Sequence, residues 1–347
     1  MPLPNETAPL TVTPGAIRFN IDSMKLEYYR GGPVSFGTTT QTGEWVNLTT
    51  DSPDIQTGGA RGVYAGGDPG GGINVIEFVN VDTTGNATDF GDMITARELG
   101  SSNSSITRGL FAGGRNPTLK NEIEYITISS TGNALDFGDL LATVIASAGL
   151  SNSTRGVFCG GFTPTIQNVI QYVTISSTGN AQDFGDLTAA TAQSAACASS
   201  TRGLNGGGVT PSQVNTINFI TISTLGNAAD FGDLTRTAAN TIASCSNSET
   251  GVFAGSESGP SNVIDFVKIS TTGNAIDFGD LTVTRGELAG FSSKTRGVFA
   301  CGNNTPTRVN TIDYITFSNR GNAIDFGDGQ ATKSGVFGCS NGHGGLG

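Results

Sequence analysis

Histidine is nearly absent from this chain. Among 347 residues there is one, His343, in the terminal stretch GHGGLG. A copper site of histidine and tyrosine ligands needs more than one imidazole. Ser/His/Asp or Cys/His catalysis would need this same ring beside a nucleophile. His343 itself reads as a solvated tail residue. Charge is scarce as well, at 14% of residues, and it runs acidic: 18 Lys and Arg against 29 Asp and Glu, for a formal net charge of −11. Nucleic-acid binding rests on cations that neutralise phosphate, and anionic membrane surfaces attract the same sign. Neither partner is expected. No apolar run reaches the ~18 residues that would suggest a membrane-spanning helix, so no membrane insertion is expected. The opening MPLPNETAPL has neither a basic region nor an apolar one, so secretion by a signal peptide is not expected. The five cysteines, Cys159, Cys197, Cys245, Cys301 and Cys339, form no CxxC pair. They read as small buried thiols, which suits folding in a reducing cytoplasm.

What the chain has in abundance is glycine, 51 residues of it, and repetition. GNATDFGD begins at Gly85. It returns as GNALDFGD at Gly132, GNAQDFGD at Gly179, GNAADFGD at Gly226, and GNAIDFGD at Gly273 and again at Gly321. The spacing is 47 residues, lengthening to 48 at the last step. Ahead of each copy runs a β-branched strand with an aromatic at a fixed place: Phe78, Tyr125, Tyr172, Phe219, Phe266 and Tyr314. These aromatics are expected to pack between neighbouring units. One full unit from Thr282 reads as four short strands separated by Gly, Asn and Pro turns, which matches a propeller blade. The tail GQATKSGVFGCSN aligns with LTVTRGELAGFSS, so that Lys333 meets Arg285 and Gly338 meets Gly290. Residues 331–341 are therefore expected to pair beside residues 62–67 and complete the first blade. Such closure leaves no open seam in the ring. The fold expected is all-β: a six-bladed β-propeller over residues 58–347, with four-stranded blades and a ring closed by the C-terminal strand. Residues 1–57 form an extended arm and a small β-hairpin module.

In that module, Ile17 and Phe19 alternate with polar residues, as do Leu26 and Tyr28, around an Asn-Ile-Asp-Ser turn; Trp45 lies in a third short strand. The pattern GAIRFN, KLEYY and GEWV over residues 15–48 resembles a small β-module common in bacteriophage tail and other virion proteins. The blades, with an apolar strand ending in Gly-Gly and an aromatic third strand, resemble the kelch family of β-propellers. The diglycine stands at Gly66-Gly67, Gly113-Gly114, Gly160-Gly161 and Gly206-Gly207, and Gly255 and Gly302 keep one glycine of it. Kelch units carry a late tryptophan; here GNAxDFGD stands in its place. That variety resembles repeats encoded in phages, marine ones especially.

The DFG triplet is not a kinase element, because it recurs six times without the other kinase motifs. Its paired aspartates could bind calcium, but twelve acids spread evenly over six units read as turn structure. One Asp would cap backbone N–H groups and another would pair with the arginine of a TRG turn, such as Arg108, Arg155, Arg202 or Arg296. No metal or cofactor is expected, and no catalytic residue. The most varied segments follow the second strand of each unit. They supply the candidate binding residues: Asp68, Arg115, Asn116, Phe162, Thr163, Ser256, Glu257, Asn303, Asn304 and Arg308. The resemblances imply a non-enzymatic phage virion protein, tail- or fibre-associated or on the capsid surface, assembled in the host cytoplasm and multimeric by particle symmetry. Phe19, Tyr28 and Trp45 would pack in the anchoring module that meets other virion proteins through residues 1–57. The propeller would face host-surface glycan or protein. The alternatives are a glycan-cleaving enzyme on the same fold and a cellular kelch-like scaffold.

Overall fold

The computed structural model describes residues 16–20, 25–31, 43–47, 60–237, 242–257 and 261–346. The chain divides into two compact units, Met1–Thr57 and Gly58–Gly347.

The first unit holds a three-stranded antiparallel sheet in chain order: Ile17–Asn20, Lys25–Gly31 and Gly43–Asn47. Phe19 is paired in register with Leu26, Tyr28 with Ile17 and Val46, and Trp45 with Tyr29. Tyr28 is half-buried, whereas its neighbours Glu27 and Tyr29 are buried. The side chains of Phe19 and Trp45, and the Asn-Ile-Asp-Ser turn beyond Asn20, lie outside the described residues. Arg18 Nε stands 2.8 Å from Glu27 Oε2.

The second unit is a six-bladed β-propeller of four-stranded antiparallel blades. Blade 1 runs from the axis outward as Phe337–Ser340, Arg61–Ala65, Ile73–Asn80 and Thr88–Arg97. Its innermost strand comes from the C-terminal segment, with Phe337 opposite Ala65 and Ser340 opposite Gly62. Blades 2 to 6 follow in sequence, with inner strands Ser101–Ser104, Ala148–Ser151, Ala195–Ala198, Ala243–Ser246 and Ala289–Ser292. Six apolar clusters form the core, each drawn from two adjacent blades. The third-strand aromatics sit at the edges of those clusters, as the pattern suggested. Each meets the Phe of its own DFGD edge-on, Phe78 with Phe90 at 5.9 Å and Tyr125 with Phe137 at 6.0 Å. All five cysteines are buried and free.

GNAxDFGD is the seam between blades. Its Phe is the extra residue of a β-bulge: Asp89 lies opposite Glu77 and Gly91 opposite Ile76, with Phe90 between them. The glycine that follows has φ near +145° in all six copies, 144° at Gly138 and 151° at Gly279 for example, which a Cβ would oppose. A Cβ there would also strike the next unit, since Gly91 faces the Gly132 carbonyl. The second Asp then donates its backbone N–H to the Asn of the next GNA, Asp92 to Asn133 Oδ1 at 3.1 Å and, closing the circle, Asp328 to Asn86 at 3.0 Å. The aspartates thus act through their backbone, and the first carboxylate of each copy is exposed.

The TRG arginines do not pair with these aspartates, contrary to expectation. Each lies over the third-strand aromatic of its own blade, Arg61 over Phe78 at 4.5 Å and Arg155 over Tyr172 at 4.8 Å. From there four of them donate to a carbonyl of the next blade, Arg61 to Ile128 and Arg155 to Ile222 for example. The planar guanidinium can stack and donate sideways at once. In blade 5 the position is Thr250, and Arg320 covers Phe266 instead at 5.1 Å. The diglycine also shifts in one unit: Gly207 and Gly208, with φ of 68° and 99°, occupy the place of Gly66 and Gly67 at 66° and 99°. Gly206 is a strand residue opposite Ala195.

Buried charges latch four of the six crossovers to the blade they enter. Arg97 lies 3.1 Å from Glu124, Arg285 2.8 Å from Asp313 and Lys333 2.7 Å from Glu77, all six side chains essentially buried. At the equivalent places blade 3 has Val144 and Gln171, and blade 4 has Thr191 and Asn218. Blade 5 reaches Asp265 with Arg236, 2.9 Å away. Cation thus stands with acid, and neutral residue with amide.

Removing one partner of a fully buried pair leaves the other charge uncompensated, at a cost of about 3–5 kcal/mol. Arg285→Val alone is therefore expected to lower the melting temperature sharply. Arg285→Val with Asp313→Gln, which copies blade 3, is expected to recover most of the loss. Calorimetry on the two variants checks this. A second expectation concerns Asn103, buried in the blade 2–3 core with neither amide atom hydrogen-bonded. Leu150 fills the next equivalent place against Gly203, as Asn103 does against Gly156. Asn103→Leu should relieve an unpaired polar group, worth about 1–3 kcal/mol, and raise the melting temperature by a few degrees.

Candidate functional site

The varied loops and the blade-to-blade crossovers emerge at the same end of the ring. There each crossover pairs with the loop of the blade it enters: Glu98 with Arg115, Ile145 with Phe162, Ala192 with Val209, Gly286 with Asn303, and Ser334 with Asp68. Next along the crossover, five residues among those described adopt left-handed backbone at equivalent places: Leu99, Ala146, Gln193, Glu287 and Gly335, with φ between 52° and 68°. Their backbones join head to tail around the axis. Leu99 N–H donates to Gly335 O at 2.8 Å, Ala146 to Leu99 and Gln193 to Ala146 at 2.9 Å, and Gly335 to Glu287 at 2.9 Å. The left-handed conformation costs a non-glycine residue about 1 kcal/mol, and each hydrogen bond offsets it. These residue types share nothing, so only their 47-residue spacing marked them in the sequence.

Four of the ten candidate loop residues pair with one another across blades, and Arg115, Asn116 and Asn304 bond other residues nearby. Arg308 Nη2 of blade 6 lies 2.6 Å from Asp68 Oδ2 of blade 1. Asp68 Oδ1 also accepts the N–H groups of Gly70 and Gly71. Burial pushes this carboxyl up, but the two amides and Arg308 outweigh it and hold the pKa below the usual range. Asn116 of blade 2 donates to the Gly72 carbonyl of blade 1 at 3.1 Å. Arg115 Nε pairs with Glu98 at 2.8 Å. Asn303 Nδ2 of blade 6 donates to Glu257 of blade 5 at 2.9 Å. The Asn304 carbonyl accepts the Thr307 hydroxyl within its own hairpin. Phe162 and Thr163 form one side of a two-residue hairpin on blade 3, and Phe162 is 42% exposed. Ser256 ends its strand fully buried and lies off this surface. Near the axis, Glu287 accepts from Ser334. Burial first, and then the carboxylates of Glu257 and Glu98, raise its pKa.

The far end of the axis is closed by the chain itself. Inner-strand serines hydrogen-bond round it, each hydroxyl to the carbonyl of the preceding blade: Ser104 to Ser340, Ser151 to Ser104, Ser246 to Ala198, Ser292 to Ser246 and Ser340 to Ser292. The sixth place is Ala198, which has no hydroxyl to give to Ser151. The tail settles on that side. Gly345 lies so close to the Ser151 carbonyl that a Cβ could not fit, and Gly344 crowds the carbonyls of Asn247 and Ala198.

His343 is therefore not a solvated tail residue. Its Nε2 lies 3.0 Å from the Ser104 carbonyl, and Nδ1 accepts the Gly345 N–H at 3.1 Å. A carbonyl requires a donor and an N–H requires an acceptor, so the ring is neutral with its proton on Nε2. Burial pushes its pKa down to about 4. The bland appearance of GHGGLG hid this, because its glycines are the only residues thin enough to lie against the strand ends.

No family model matches the chain, and no curated protein matches it significantly.

Proton linkage gives a direct check on the tail. A released His343 binds a proton below about pH 6.5, whereas the seated ring resists until about pH 4. Seating is thus fully favoured above pH 6.5 and is lost as pH falls from 6.5 towards 4. As this is the only histidine, its ring protons can be followed by NMR without assignment. A midpoint near 4 is expected. A midpoint near 6.5 would mean a solvated tail.

Proposed function

We propose that this chain is a non-catalytic component of a bacteriophage particle, attached through residues 1–57 and presenting the varied loop end of a kelch-like propeller to a host-surface glycan or protein. One observation carries the recognition part: the polar side chains of the loops are fixed by contacts between blades, Asp68 with Arg308 and Glu257 with Asn303. Polar groups held before contact lose little freedom on binding. The buried charges of the interior each have a structural partner, and the axis is filled at one end by the protein's own tail. The loop end carries the most varied side chains of the repeat. The particle and its anchoring rest on the resemblance of residues 15–48 to a virion β-module. On this reading the protein acts in the virion, and copies are arranged by particle symmetry.

The test uses the full-length chain on a glycan array and in capture of virion proteins. Binding is expected to fall at least about tenfold, a loss of about 1.4 kcal/mol, in Phe162→Ala and Arg308→Ala while the melting temperature changes little. Virion proteins should be captured through residues 1–57. Array binding unchanged in both variants, or release of sugar from the array, would sink the reading.

A further inference from the structure

We infer that blade 3 carries a second binding site, for one neutral sugar unit, in a groove on its flank away from the loop end. The groove encloses about 170 Å3 and is lined by the polar side chains of Tyr172, Thr174, Ser177, Thr178, Asn180 and Gln182, with Val173 and Gly179 completing the wall. It lies where the third strand turns into GNAQDFGD, at the end of the blade opposite the varied loops.

The six polar side chains each offer a hydroxyl or an amide, and no lining residue is charged. The two amides are already oriented. The Tyr172 hydroxyl donates to Gln182 Oε1 at 2.8 Å, and the Asp139 N–H donates to Asn180 Oδ1 at 3.1 Å. With both carbonyl oxygens held, each amide presents its NH2 group to a ligand, and the threonine and serine hydroxyls can donate or accept. Fixed donors interleaved with adaptable hydroxyls match a ring bearing several hydroxyl groups. An apolar ligand would leave the amides unpaired, at the cost of their desolvation. The net charge of −11 disfavours an anion, and Arg155, which lies over the Tyr172 ring, is committed to the Ile222 carbonyl. A cation would find no carboxylate in the lining.

The repeat supplies its own control. Blade 2 has Tyr125, Thr127, Ser130, Thr131 and Asn133 at the same places; among the polar positions it differs at Leu135, which is 58% exposed, and Ile126 stands for Val173. The other blades put Thr88, Ala229, Ile276 and Ile324 there. Gln182 is the one residue of the six whose amide can hold the tyrosine hydroxyl and still offer a donor. An exposed x position has no packing reason to be glutamine, so the site rests on this substitution.

The experiment titrates 15N-labelled full-length protein with free glucose, galactose, mannose and N-acetylglucosamine. The side-chain NH2 resonances of Gln182 are identified by their disappearance in Gln182→Leu. At least one sugar is expected to move that pair saturably in the millimolar range. Gln182→Leu and Tyr172→Phe should each weaken binding by about tenfold or more. Both copy residues that other blades hold in the same place, so folding is retained. Leu135→Gln, which gives blade 2 the same set of polar lining residues, is expected to create a second equivalent site. Phe162→Ala at the loop end should leave this binding unchanged, which separates this site from recognition by the loops. If none of the four sugars moves the Gln182 pair, or if Gln182→Leu binds like the wild type, the site does not exist.

Discussion

One contact, repeated at the rim, makes the ring possible: the N–H of the second aspartate in each DFGD meets the asparagine of the next GNA. It is made all the way round, and Asp328 with Asn86 joins the last blade to the first. The bulge at Phe-Gly brings the outer strand to the angle at which this contact can form, and its glycine tolerates both the backbone angle and the carbonyl pressed against it. The Phe fixed by the same bulge enters the core between blades. One eight-residue motif therefore supplies the outer strand, the packing aromatic and the inter-blade bond. This is why its G, N, A, D, F and G positions are the same in every copy while x ranges over Thr, Leu, Gln, Ala and Ile.

Closer to the axis the constraint is space rather than one bond. Six inner strands converge, and the second residue of each, Ser102, Gly149, Ala196, Ser244, Gly290 or Gly338, is small. Several solutions fit such a space, so this part of the repeat is less uniform than the rim. The buried latches follow the same logic. Glu124 takes the Arg97 cation at one crossover, and at the next Gln171 accepts the Leu141 N–H at 2.8 Å. A buried ion pair gains little over a neutral arrangement once desolvation is counted, so either version persists provided both partners match.

Rigidity of this kind bears on function. Among the described residues, the ring is tied at the rim, between blades and around both ends of the axis. On the proposed reading, recognition would depend on which side chains stand at a few variable positions, where the copies of the repeat disagree.

The 47-residue period determined a great deal by itself. It yielded the number of blades, the strands within them, the supply of the first inner strand by the C-terminal segment, and the burial of the cysteines, because each is a consequence of periodic burial. The hairpin strands of the N-terminal module were legible from alternation in the same way. The partners of side chains were not. The TRG arginines pair with rings and carbonyls rather than with aspartates, because the aspartates next to them in the written repeat stand elsewhere in the folded blade. His343 and its glycines looked like a loose end. Only the converging inner strands, with their missing hydroxyl at Ala198, turn them into a fitted closure. Ser256 looked like a loop residue and is buried at the end of a strand. Left-handed Leu99, Ala146, Gln193 and Glu287 share a backbone angle and no chemistry. Periodicity reports what every blade must do to bury its faces, whereas contacts that cross the axis or pass between blades join residues far apart in the chain, and tertiary structure alone decides them.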